Sequence, residues 1–249
     1  MLRYHMKINY KQTFIDFTKG SVIIAGAGPG NIELITLKVL NAIKDADVII
    51  YDALVNKDLL KFSKKNSKHI FGGKTSNKKA CSQSEINEWM IYYARKNKRV
   101  LRLKGGDPSF FSRGSQEIKF LKEKKIKYKI FSGISSSQQT VSNANLDFFN
   151  KYGICNFITG HRRIKEKQKI SDMRKLFYNK GKFIVYMGVG QIKTISNQLI
   201  NLGMKTNTKV TIVSNASLNN QKIFRSNISE VAENVVRKKI LPPSIIVIN

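Results

Sequence analysis

The stretch Val100–Gly114, VLRLKGGDPSFFSRG, constrains the fold of this chain more than any other. A short apolar run (Val100, Leu101, Leu103) reads as a buried strand, and it breaks at once into Gly105, Gly106, Asp107 and Pro108. Two adjacent glycines tolerate positive φ and let a ligand approach bare backbone. Asp107 supplies a fixed carboxylate, and Pro108 stops the strand from running on. Ligands of open α/β sheets sit at the carboxyl ends of strands, so this loop is a candidate binding rim. Taken alone, it also fits a tight strand-to-helix turn.

A second loop of the same kind opens the chain. Ser21–Gly26 (SVIIAG) predicts a buried strand that ends in Gly26, Ala27, Gly28, Pro29 and Gly30. This is similar to a dinucleotide fingerprint, with Asp52 standing after the next strand, Asp47–Tyr51, where a ribose-binding acid belongs. Asn31 replaces the third glycine, however, and Pro29 removes an N–H that a phosphate would use, which argues against a nicotinamide cofactor. Apolar spacing predicts a helix over Glu33–Lys44, a short helix at 57–62 and a strand His69–Phe71 entering the Gly72–Gly73–Lys74 turn. A helix over Ser84–Lys96 follows, with Ser82 as its N-cap, then a helix over Ser115–Lys124 and a strand Tyr128–Phe131. Strands alternating with helices of this length imply parallel βαβ units.

A small-residue helix, Ser135–Ala144, leads into a polar and aromatic connection near Asp147–Tyr152. The domain boundary is expected there, giving an extension at 1–20 and α/β domains at 21–145 and 146–249. The second half reads as strand Ile154–Thr159, a Lys-rich helix near 170–179, strand Phe183–Met187 and helix Ile192–Leu202. Strands Val210–Val213 and 221–225, a helix at 228–238 and strand Ile245–Ile248 close it.

The net charge of +29 invites a nucleic-acid reading, but the lysines are spread over the whole chain. No basic run alternates with aromatics as a stacking platform requires, so no specific nucleic-acid partner is expected. A polyanionic small substrate would suit such a chain equally well. No apolar run reaches the roughly 18 residues of a membrane helix, and the first twenty residues do not read as a secretory signal. Cys81 and Cys155 read as reduced thiols of a cytoplasmic protein. The scattered His5, His69 and His161 form no metal pattern and no nucleophilic triad. Asp52 and Lys74 each stand at a strand end beside a turn, where lone charges are usually just solvated. Several at one rim would make a site.

The ordered set GAGPGNIELITLK, VIIYDALV, GGK, QSEIN, RVLRLKGGDPSFFSRG, FITGH and VYMG resembles the tetrapyrrole methyltransferases that use S-adenosylmethionine, from Val22 almost to the end. The resemblance implies the two-domain α/β tetrapyrrole methylase fold, with a parallel or mixed sheet in each domain and the cofactor cleft between them, usually as a homodimer. The LKGGDP form resembles those members that methylate uroporphyrinogen III at carbons 2 and 7 to give precorrin-2, the route to sirohaem and cobalamin. S-adenosylmethionine is then the methyl donor and S-adenosylhomocysteine the product. By motif, the cofactor contacts are Pro29, Gly105, Gly106, Asp107, Phe110, Ser135, Ser136, Met187 and Ala216. Asp52 matches the family's proton acceptor and Lys74 its donor, while Lys74, Arg113 and Lys104 are natural partners for the substrate's carboxylates. Lys104 could instead point to the opposite face.

The chain also departs from the family pattern. Thr75 and Lys79 stand where Arg and His are usual, Ser132–Gly133–Ile134–Ser135 replaces PGIT, and Phe149–Asn150–Lys151 replaces Thr-His-Arg. The cofactor positions are better kept than the substrate-facing ones, which leaves one methylation or two open. The alternatives are another precorrin or related S-adenosylmethionine-dependent methyltransferase, and a non-catalytic basic protein that binds polyanions on this fold.

Overall fold

Strand β1 (Ser21–Gly26) is buried at every position, as a central strand covered on both faces must be. The computed structural model describes residues 16–73, 81–149, 151, 153–160, 174, 177–178 and 180–249. The first sheet adds β2 (Val48–Tyr51), β3 (Lys68–Phe71), β4 (Val100–Lys104) and β5 (Lys127–Phe131), in the order β3-β2-β4-β1-β5. Every pairing in it is parallel, so all the carboxyl ends lie on one edge. Alternate side chains point to opposite faces. Ile23, Ala25, Ile49, Leu101 and Leu103 pack with Val39, Ala42 and Ile43 of helix α1 (Leu37–Asp45). Val22, Ile24, Val48, Ile50 and Val100 pack with Ile86, Met90 and Ala94 of α2 (Gln83–Arg95) and Leu121 of α3 (Gly114–Glu123).

Local sequence explains the helix boundaries. The helix expected over Glu33–Lys44 is split into a 3-10 turn, Ile32–Leu34, and α1. Thr36 is the cause: its hydroxyl accepts from Val39 N–H and starts a new helix. Ser82 caps α2 as expected, through a reciprocal capping box with Glu85.

The second unit carries helix α4 (Ser136–Asn143) and strands β6 (Cys155–Thr159), β7 (Lys182–Tyr186), β8 (Lys209–Ser214), β9 (Lys222–Asn227) and β10 (Ser244–Ile248). Helices α5 (Ile192–Asn201) and α6 (Val231–Arg237) also belong to it. Its sheet order is β6-β7-β10-β8-β9, and it is mixed: β6 and β7 are parallel, the remaining pairs antiparallel. The fold class is thus the expected one, a parallel sheet followed by a mixed one.

The units divide between Ile134 and Ser135, earlier than the boundary expected after residue 145, and the short segment Pro29–Asn31 groups with the second unit. The reason is the packing of α4. Its Val141 is buried with Ile184, Tyr186, Ile245 and Val247, and Ala144 after it with Val213 and Ala216. Apolar burial, not the polar connection that follows, decides where the helix belongs. Within the expected extension 1–20, Phe17 is part of the first core, and residues 1–15 lie outside the described residues. So do Lys74, Thr75, Lys79, Asn150, His161 and most of the helix expected near 170–179.

Candidate active site

Three glycine-bearing loops follow β4, β1 and β5, which are neighbours in the sheet, and their backbones are tied together. Gly28 and Gly106 exchange backbone hydrogen bonds, N to O, of 3.2 and 2.7 Å, and Ala27 N–H donates to Lys104 O at 2.7 Å. A Cβ on Gly26 would strike Gly106 O and approach Gly133 N to 2.7 Å, so only glycine allows this approach. Asp107 clips the third loop to the other two. Its Oδ1 accepts from Ser109 N–H at 2.7 Å and its Oδ2 from Gly133 N–H at 2.9 Å. The carboxylate expected to face a ligand is therefore buried and engaged by backbone on both oxygens. Gly105 and Gly106 leave half-buried backbone at the rim, and the exposed rings of Phe110 and Phe111 stand after it. Phe111 holds φ at +43°, a strained value for a bulky side chain.

Beside this rim the same alternation that builds the core places charges inside the protein. Asp52 continues the Val48–Ile50 face of β2, and Arg102 and Lys104 continue the Val100 face of β4. Arg102 exposes 2% of its side chain and Glu117 of α3 none. The Arg102 guanidinium donates to Glu117 Oε1 from Nε at 3.0 Å, to Ile50 O from Nη1 at 3.4 Å, and to Asp52 Oδ1 from Nη2. Lys104 Nζ donates to Glu117 Oε1 at 3.1 Å and lies 3.7 Å from Asp52 Oδ2. Gln83 Nε2 adds a third donor to Glu117 Oε1 at 3.2 Å. Burial alone would push the Glu117 carboxyl up, but Arg102 and Lys104 hold it below the usual range. Burial likewise opposes the Arg102 charge, and Glu117 and Asp52 more than offset it.

Of the four charged members of this group only Asp52 reaches solvent appreciably, at 29% side-chain exposure. Lys104, expected among the substrate's partners, instead points to the α2/α3 face and is spent on Glu117 and Asp52. Arg113 is exposed at the start of α3. Sequence reasoning missed Arg102 and Glu117. The available signal was a cation in mid-run of a strand buried on both faces, a placement that demands a counter-ion.

In the second unit, Asn31 N–H donates to Ser217 Oγ at 3.0 Å, which anchors the segment that contains Pro29. Ala216 is buried between Asn215 and Ser217, at φ +51° and +74°. Met187 also has positive φ, +52°, and is 49% exposed just after β7. Ser136 is half-buried at the start of α4, whereas the Ser135 hydroxyl is buried against the Tyr186 hydroxyl. Of the expected positions here, Met187 thus carries strained backbone with an exposed side chain, Ala216 lies between two residues of positive φ, and Ser135 has its hydroxyl committed internally. Among the described residues no three potential metal ligands cluster, and no helix is long and apolar enough to cross a membrane.

The family model for tetrapyrrole (corrin/porphyrin) methylases matches residues 21–232. The chain belongs to this family. Among curated methylase relatives, a uroporphyrinogen-III C-methyltransferase of Methanocaldococcus jannaschii is 36% identical over 232 residues, 92% of this chain and 95% of that protein. One of Bacillus subtilis is 35% identical over 92% of this chain and 90% of its own length. Siroheme synthases also match, such as that of Nitrosospira multiformis at 32% identity, but this chain spans only 49% of it. Among solved methylase structures, the uroporphyrin-III C-methyltransferase of Thermus thermophilus complexed with S-adenosylhomocysteine superimposes with a TM-score of 0.76 at 29% identity, covering 92% of this chain and 97% of that one.

Proposed function

We propose that this methylase transfers methyl groups from S-adenosylmethionine to carbons 2 and 7 of uroporphyrinogen III, giving precorrin-2. The observation that carries the reading is the tied glycine rim next to a carboxylate, Asp52, paired with Arg102 at a solvent-reaching strand end. Bare backbone at Gly105 and Gly106 and the ring of Phe110 fit the polar edges and flat face of an adenosyl group. By motif, Pro29, Ser135, Ser136, Met187 and Ala216 are cofactor contacts as well, with Ser135 contributing through its main chain because its hydroxyl is occupied.

Bound S-adenosylmethionine supplies a sulfonium methyl, which a ring carbon of the substrate takes as the carbon–sulfur bond breaks and S-adenosylhomocysteine is left. The protein's part is alignment, which can contribute several kcal/mol to such a step. The methylated ring is left as an iminium-type cation and must lose a proton. Asp52, paired with Arg102 and 3.7 Å from Lys104 at a solvent-reaching strand end, offers the carboxylate that takes it. Lys74 is assigned the return of a proton, and Arg113 binds substrate carboxylates together with other basic side chains. The active form is a homodimer in the cytoplasm.

The test combines calorimetric titration with S-adenosylhomocysteine and methyl transfer from labelled S-adenosylmethionine to uroporphyrinogen III. Micromolar binding with label in the tetrapyrrole supports the proposal. Binding without transfer to uroporphyrinogen III, but with transfer to a later precorrin, overturns the substrate assignment.

A further inference from the structure

Asp52, Arg102, Lys104 and Glu117 are two carboxylates and two cations, so the cluster is neutral only while Asp52 is ionised. Among the described residues, three elements face the cluster. Strand β4 brings Arg102 and Lys104, α3 brings Glu117, and α2 brings the neutral Gln83, itself bonded to Asn87 Oδ1 at 3.1 Å. Glu117 touches neither the glycine rim nor solvent, and the proposed chemistry gives it no task. Yet its Oε1 takes donors from Arg102, Lys104 and Gln83, while its Oε2 is buried with no hydrogen-bond partner among the described residues. A fully buried carboxylate is retained at considerable desolvation cost.

We propose that Glu117 is a positioning residue that sets the basicity and orientation of Asp52 through Arg102 and Lys104, a role that rests on Asp52 being the proton acceptor. Two cations facing Asp52 alone would make it a very poor base. Glu117 shares both of them, so Asp52 feels only part of their field. Arg102 transmits geometry as well as charge. With Nε on Glu117 and Nη2 on Asp52, the planar fork fixes Asp52 relative to α3. When Asp52 accepts a proton the cluster acquires a net positive charge, which favours release of that proton to solvent before the next methylation.

The experiment is the pH profile of kcat/KM for wild type, Asp52→Asn, Glu117→Gln, Arg102→Met and Arg102→Lys, each checked for folding by circular dichroism. Glu117→Gln keeps shape and an acceptor oxygen but lets both cations act on Asp52. Its acid limb moves to lower pH by about one unit, and kcat falls about tenfold with KM little changed. Arg102→Met moves the limb the other way by about one unit. Arg102→Lys keeps the charge, so the limb stays within about half that shift while kcat drops. If Arg102→Met does not fold, the opposite behaviour of Glu117→Gln and Arg102→Lys carries the test. Asp52→Asn separates the two layers. Wild-type turnover in that variant removes the base assignment and this inference with it. Loss of turnover there, with the limb unmoved in Glu117→Gln, overturns the positioning role alone.

Discussion

Replacing Asp107 by alanine tests whether the GGDP loop is held by its own aspartate or merely offers that aspartate to a ligand. The carboxylate accepts from Ser109 N–H at 2.7 Å and Gly133 N–H at 2.9 Å and is almost wholly buried. Each hydrogen bond to a charged group contributes about 1.5–3 kcal/mol, and removing the acceptor leaves two backbone donors unpaired, so the expected cost is about 3–6 kcal/mol. For a chain of this size each kcal/mol lowers Tm by about 2–4 °C, which places the fall between about 6 and 24 °C. Asp107→Asn keeps one acceptor oxygen and loses about half as much. Differential scanning fluorimetry, with and without S-adenosylhomocysteine, gives the readout. Both variants lose stability in the absence of cofactor and bind it more weakly because the rim loosens. A Tm within about 1–2 °C of wild type together with lost cofactor affinity would refute the clip and make Asp107 a direct ligand.

Gly26→Ala should prevent the close approach of the first and third loops, because the new Cβ meets backbone rather than a movable side chain. A loss of about 3 kcal/mol or more in urea unfolding is expected, and a neutral effect would contradict the tied rim. Glu117→Leu should destabilise by about 3–5 kcal/mol, since it strands Arg102 and Lys104, whereas Arg102→Met with Glu117→Leu should recover part of that loss. Glu117 and Asp47 both titrate below their ordinary values of 4.5 and 3.8, so each stabilises the fold above those values and loses that contribution as pH falls through the folded one. Stability should be flat above about pH 5 and fall below about 4.5, and that fall should be shallower in Glu117→Gln. Asp58→Asn, which breaks an exposed pair with Lys61, should change stability by less than about 0.5 kcal/mol.

The glycine loops were legible in the sequence because an apolar run ending in GGDP or GAGPG admits few other placements, and β1 and β4 are where those runs stand. The buried network was not legible as a network. Glu117 reaches Arg102 only because α3 returns over the sheet, fifteen positions along the chain. The phase of the strands did carry a hint, since Ile50 with Asp52, and Val100 with Arg102 and Lys104, share the face that α2 and α3 cover. Lys104 looked like a substrate ligand because a basic residue beside a ligand loop is usually solvated, and here β-strand alternation turned it inward. The domain division was misplaced for a related reason: α4 is poor in large apolar residues, and a single buried Val141 with its small neighbours suffices to fix it on the second unit.

The most direct test of the whole account is the number of methyl groups that purified protein adds to uroporphyrinogen III when S-adenosylmethionine is in excess, read from product mass. The account expects two, with Asp52→Asn adding none at the same time point. A product carrying a single methyl group after exhaustive reaction, or an Asp52→Asn variant that still adds two, would contradict it.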